Sequence, residues 1–271
     1  MTDVIRRPAV AGYYYPEDPE ELRNQLRVLA QAEGPPEAAH AVIVPHGSFR
    51  HSGRITGQTL ARVRVPRRCL VVSPSHAGSW GRWRIMLDGA YRTPLGDVPI
   101  DRACAAALHA RCQWLDDDPE AQRGEHGIEV QLPFLQWLGP ARLTVVPLLV
   151  GAGSYAEYVH MGHILAHVIR MQEEPVLLMA SSDLSHYEPE EQARRQDQNL
   201  LAAITSMESE ALRQVVEQDH LLMCGYGAVV CVLEAAKALG ATRATLAAYG
   251  TSAEAGGDPH AVIGYAGCVI Q

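Results

Sequence analysis

Imidazole and carboxylate are the side chains that hold a divalent metal or move protons near neutral pH. This chain repeats them in one context. Three apolar runs rich in Val, Ile and Leu end in small-residue turns that carry a histidine. They are Ala41-Val-Ile-Val-Pro-His46-Gly-Ser48, Leu70-Val-Val-Ser-Pro-Ser-His76-Ala77-Gly78, and Val176-Leu-Leu-Met-Ala-Ser-Ser-Asp183-Leu-Ser-His186. In open α/β sheets, ligands sit in the crevice beyond the carboxyl ends of the strands. His46, His76, Asp183 and His186 are therefore expected to converge on one pocket, although they lie far apart in sequence. The small residues that follow His46 and His76 let the backbone approach a ligand closely.

Two further groups carry chemistry. Gly124-Glu125-His126-Gly-Ile-Glu129 is read as the opening of a helix. There His126 is expected to stay neutral against the helix dipole, able to ligate or accept a proton; Glu125 and Glu129 serve equally well as charge complements of that helix end. Met223-Cys224-Gly225 precedes an Ala-rich helix, a place that stabilises a thiolate, so Cys224 is a candidate ligand or nucleophile. Asp183 either orients His186 as an acid/base partner or caps the helix that begins near Pro189. His160, His163 and His167 share one helical face without a carboxylate and read as a partly exposed face. Glycine-rich nucleotide loops, the Gly-x-Ser-x-Gly elbow and His-Glu-x-x-His are absent.

The elements that must position these groups alternate. Strands are expected at roughly 41–45, 69–74, 83–88, 143–149, 175–181, 244–249 and 261–270, with helices at roughly 18–32, 54–64, 100–112, 127–138, 155–172, 189–204, 208–219 and 225–239. Such alternation predicts an α/β fold, a mostly parallel mixed sheet with helices on both faces, in a single domain spanning residues 1–271. A chain of 271 residues with 47% hydrophobic content suffices for such a core. The formal net charge of −8 argues against nucleic-acid binding. Arg62, Arg64, Arg67 and Arg68 read as a solvated turn. Six scattered cysteines without a Cys-x-x-Cys pair fit a reducing cytoplasm. No apolar stretch is long enough to span a membrane, and no secretory leader is expected.

In order, Arg7-Pro-Ala-Val-Ala-Gly-Tyr-Tyr-Tyr-Pro16, Pro45-His46, Ser73-Pro-Ser-His76, Thr93-Pro-Leu-Gly-Asp97, Glu125-His126, Glu129-Val-Gln-Leu-Pro-Phe-Leu135, Ser181-Ser-Asp-Leu-Ser-His186, Cys224-Gly225 and Gly264-Tyr-Ala266 resemble the Memo family. Its bacterial and archaeal members are known as AmmeMemoRadiSam system protein B. The resemblance implies a fold like that of the class III extradiol ring-cleavage dioxygenases. It implies a metal held by His46 and His76 with Cys224 in the third-ligand place, and Asp183 and His186 in the same pocket; His126 is added from its own context. Iron(II) is the expected metal, with copper or zinc as alternatives, because a thiolate replaces the dioxygenase glutamate. The usual Pro-His-Ala-Gly-Tyr of the family is here Pro45-His-Gly-Ser-Phe49. The activity implied is a dioxygenase-like oxidation of a small aromatic or chelating molecule. The alternatives are a non-catalytic metal-handling or peptide-binding protein that works with radical SAM and AMMECR-type partners, and a metal-free hydrolase using Cys224.

Overall fold

The computed structural model describes residues 4–76, 83–218 and 220–271. Its strands are β1 (Ile5–Arg6), β2 (Ala41–Val44), β3 (Arg68–Pro74), β4 (Trp83–Ile85), β5 (Ala90–Thr93), β6 (Gly96–Pro99), β7 (Leu115–Asp117), β8 (Thr144–Val150), β9 (Val176–Ser181), β10 (His186–Glu188), β11 (Ala244–Thr251) and β12 (Val262–Ile270). The helices are α1 (Pro19–Leu29), α2 (Gly53–Ala61), α3 (Arg102–His109), α4 (Leu132–Leu138), α5 (Tyr155–Arg170), α6 (Glu190–Thr205), α7 (Ser209–Gln218) and α8 (Tyr226–Ala238).

Among the described residues the main sheet runs β10-β12-β2-β9-β3-β8-β4-β7, with β11 beside β12. Its centre, β2-β9-β3-β8, is wholly parallel. Every residue of β2 and β9 is buried, as strands covered on both faces require. Antiparallel strands close the flanks: β12 runs against β2, and β4 against β8. This bears out the mixed α/β architecture expected from the alternation. α8 packs over β2, β9 and β3, while α2 packs on β2, β11 and β12. The parallel centre directs the carboxyl ends of β2, β3 and β9 to one edge. The turns carrying His46, His76 and Asp183 all leave from that edge.

Several boundaries differ from the sequence pattern. A second sheet, β1-β5-β6, forms outside the main one, and the expected strand 83–88 stops at Ile85. The helix expected over 127–138 starts as an α-helix only at Leu132, after a 3₁₀ turn at Glu129–Gln131. The arginine stretch is not one solvated turn: Arg67 pairs with Glu174 at 3.2 Å, and Arg68, at the start of β3, with Asp101 at 2.8 Å. Ala77 and Gly78, named for the turn after His76, lie outside the described residues.

α5 reaches α8 through Gly162, where a Cβ would stand 2.8 Å from the Cys231 carbonyl oxygen and 2.7 Å from Glu234 Cβ. That contact leaves no room for a side chain. Gly162→Val should therefore destabilise the fold by about 1–3 kcal/mol, as overpacking does. Urea unfolding of the two proteins checks this.

Candidate metal and proton-transfer site

His46 follows β2 and is 2% exposed. Its backbone N–H donates to Asp183 Oδ1 at 2.9 Å, and its Nδ1 lies 3.0 Å from Ser181 Oγ. Ser181 has one hydroxyl proton, and it goes to the Gly127 carbonyl at 2.7 Å. The serine oxygen also accepts from Gln131 Nε2 at 3.2 Å. It must therefore accept from His46 as well, which places that imidazole's proton on Nδ1 and leaves a lone pair on Nε2. Cys224 Sγ lies 3.2 Å from this Nε2, and Asp183 Oδ2 lies 3.9 Å from it.

His76 follows β3. Its backbone N–H donates to Glu125 Oε1 at 2.6 Å, and Ser75 donates to the same oxygen at 2.9 Å. Glu125 Oε2 takes the Nδ1 proton at 3.2 Å. Again Nε2 is left with its lone pair. The buried Glu125 is thus the carboxylate that orients a histidine, a part more specific than the charge complement its sequence context offered. His186 repeats the pattern with backbone acceptors, its Nδ1 lying 2.8 Å from the Leu184 carbonyl and 3.0 Å from that of Leu222.

This corrects the sequence expectation that Asp183 orients His186. The carboxylate instead holds the His46 backbone, because residues 182–185 take no helical structure and His186 already begins β10. His126 sits among the rings: it stacks on His76 at 4.6 Å and meets His46 edge-on at 5.4 Å. Burial first, then the neighbouring histidines, lowers the His126 pKa to about 4 and that of His46 to about 3. His126 is neutral for those reasons and not through a helix dipole, since α4 starts six residues later.

Cys224 precedes α8 through Gly225, whose N–H donates to Ser182 Oγ at 3.1 Å. A side chain at Gly225 would collide with Ser182. The expected low-pKa thiolate is contradicted. Burial, then the Asp183 carboxylate, pushes the Cys224 thiol well above its ordinary value, outweighing the helix terminus. Ligand atoms of His46, His76 and Cys224 lie within 4.8 Å of one another, as do those of Asp183, His186 and Cys224. His160, His163 and His167 are exposed on α5 and belong to neither group.

The imidazoles open on a pocket of about 490 Å³, walled also by Tyr13, Tyr14, Tyr187 and Tyr265. Tyr187 takes a left-handed backbone (φ 60°) between two residues paired to β12, and stands 70% exposed at the mouth. Tyr13 and Tyr14 arrive on an N-terminal segment whose anchor sequence reading did not single out. Arg6 forms a fully buried ion pair with Glu129. The same carboxylate accepts from Ala9 N at 2.8 Å, Val10 N at 3.0 Å and the Tyr15 hydroxyl at 2.6 Å. An arginine followed by a Pro-containing turn is a faint signal for such an anchor.

Two predictions follow from these environments. Glu129→Gln strands a buried guanidinium and should cost about 3–5 kcal/mol in urea unfolding. His46 and His126 are held below the unfolded histidine value, so unfolding takes up protons as the pH falls. The metal-free protein should lose stability as pH drops from about 6.5 toward 4. His46→Gln should flatten that slope in thermal melts across the range.

The Memo-like protein family model matches residues 6–269. The MEMO1 family protein of Methanopyrus kandleri is 36% identical over 98% of this chain and 99% of its own length. The corresponding proteins of Methanocaldococcus jannaschii and Aquifex aeolicus are 35% and 33% identical, each over 98% of this chain and 99% of their own length. Among solved structures, uncharacterized protein JW3007 of Escherichia coli K12 shares the fold, with TM-score 0.55 and 17% identity over 85% of this chain and 99% of that one.

Proposed function

The chain belongs to the Memo-like protein family, and on that premise we propose that its histidine pocket is a metal centre for oxidation of a small chelating molecule. His46, His76 and Cys224 are the ligands; Asp183, His186 and His126 stand beside them to hold and move protons. One observation carries the reading. Three imidazoles have Nδ1 committed to an acceptor, so each keeps an Nε2 lone pair that needs a partner. For His46 that partner is the Cys224 thiol at 3.2 Å. A metal ion substitutes for the thiol proton, and binding releases that proton.

The donor set of two imidazoles and one sulfur suits iron(II), with copper and zinc as alternatives. When bound, such a metal supplies a Lewis acid and, for iron or copper, an electron-transfer centre. The chain's own residues do the rest. The Asp183 carboxylate, 3.9 Å from His46 Nε2, adds a negative charge that steadies the metal end of the pocket. His186 offers an Nε2 base to an incoming acidic hydroxyl. Tyr14, its phenol kept protonated by burial and then by the Asp183 charge, donates a hydrogen bond to an anionic group.

A second reading has its own observation. The mouth is flanked by Tyr13 and Tyr187, 87% and 70% exposed, which suits a peptide or partner protein seated over the pocket, as a radical SAM or AMMECR-type partner would be.

Metal binding to anaerobically purified protein, followed by elemental analysis after iron(II), copper(I) or zinc loading, tests the centre. Near-stoichiometric metal is expected, lost in His46→Ala, His76→Ala and Cys224→Ala. Ser181→Ala and Glu125→Gln should weaken binding by about 10–100-fold without touching the metal, because they release the imidazoles they orient. Metal uptake that is unchanged in all five variants would refute the reading.

A further inference from the structure

Among the described residues four tyrosines are buried: Tyr15, Tyr91, Tyr158 and Tyr265. A buried tyrosine hydroxyl normally finds a hydrogen-bond partner. Three of the four do. Tyr15 donates to Glu129 at 2.6 Å, Tyr91 donates to Gln122 at 2.7 Å, and Tyr158 accepts from the Gly153 N–H at 2.9 Å. Tyr265 is only 2% exposed, yet among the described residues its hydroxyl has no partner.

Tyr265 lines the histidine pocket, and its hydroxyl end lies beside Gly47, which lines the pocket too. A Cβ at Gly47 would stand 3.0 Å from that oxygen. The alanine of the family's usual motif would therefore crowd the phenol, whereas Gly47 leaves it room. Ile263, two residues earlier and so on the same face of β12, lines the same pocket. Gly264 between them faces the other way, where a Cβ would collide with the Asp197 carboxylate. Its N–H donates to the Ser185 carbonyl at 2.9 Å, and its carbonyl accepts from the Leu184 N–H at 2.8 Å. On the other edge of β12, Tyr265 pairs with Gly250 of β11. The backbone beneath the phenol is thus held from both sides, so little order is lost when the hydroxyl meets a ligand. A phenol is protonated at neutral pH, and burial, then the Asp183 charge, raises its pKa further. It offers a proton to an acceptor and brings no charge.

We propose that Tyr265 is a specificity-determining residue of the pocket. Its hydroxyl donates to an acceptor oxygen of the ligand at the metal. The pocket therefore selects chelators that carry such an oxygen over metal-binding molecules that carry none. The phenol keeps its proton throughout, and its missing partner is the ligand itself. This inference rests on the metal-centre reading.

The test compares wild type with Tyr265→Phe, which deletes one oxygen and keeps the ring. Both proteins are loaded with cobalt(II), whose visible absorption reports metal uptake and ligand exchange separately. They are then titrated with acetohydroxamate, a chelator with a carbonyl acceptor, and with pyridine, a metal ligand without oxygen. Cobalt uptake should be the same in the two proteins. Tyr265→Phe should weaken acetohydroxamate by roughly tenfold, the worth of one hydrogen bond, and change pyridine by no more than about twofold. Equal losses for the two probes would show that the phenol acts only through packing, and would overturn the inference. So would an unchanged acetohydroxamate affinity, or cobalt-loaded wild type that ignores acetohydroxamate; each of these leaves the metal centre standing. A wild-type protein that takes up no cobalt would sink the metal-centre reading and this inference with it.

Discussion

The site depends on where one hydroxyl proton goes. Ser181 donates to the Gly127 carbonyl and so has only lone pairs to offer His46 and Gln131. That leaves His46 with its proton on Nδ1 and its Nε2 bare, at a position that is 2% exposed. A buried polar atom without a partner is costly. The Cys224 thiol supplies the partner, and the high proton affinity that burial gives this thiol keeps the contact in place. Glu125 and the Leu184 and Leu222 carbonyls impose the same tautomer on His76 and His186. With their Nδ1 protons committed, His46, His76 and His186 keep the Nε2 lone pairs that the proposed metal centre would use.

The fold delivers these groups by a simple rule. The parallel centre β2-β9-β3 brings His46, Ser181 and His76 to one edge, with consecutive registers that leave no slack. The remaining parts come from elsewhere in the chain and must be fastened. Gly127 lets the Glu125–His126 turn press against Ser73, where any side chain would collide. Glu129 gathers Arg6, two backbone N–H groups and Tyr15, so the N-terminal segment forms the tyrosine wall. These contacts lie outside the ligands themselves, yet they set each ligand's direction.

Much of this was legible in the sequence. The strand-end histidines were found because Val/Ile runs that stop at Pro and His advertise both a buried strand and a polar turn. Cys224 was readable mainly through family resemblance, since nothing local ties it to His46, 178 residues away. The helix over 127–138 was misplaced because the turn at Gly127 obeys Ser73 and His46 rather than helical periodicity. For a similar reason Asp183 does not orient His186: residues 182–185 take no helical structure, His186 already begins β10, and its Nδ1 goes to backbone carbonyls. The partnership of Glu125 with His76 spans 49 residues and leaves no periodic trace.

The central claim concerns protons on nitrogen, and long-range ¹H–¹⁵N NMR of the histidine rings reads them directly. In metal-free protein at neutral pH, His46, His76 and His186 should each show a protonated Nδ1 and a pyridine-like Nε2. Added zinc should move the Nε2 resonances of His46 and His76 and leave their Nδ1 protons in place. A proton on Nε2 of His46 or His76 would mean that the lone pairs do not face the pocket, and the account of a preformed cation site would be wrong.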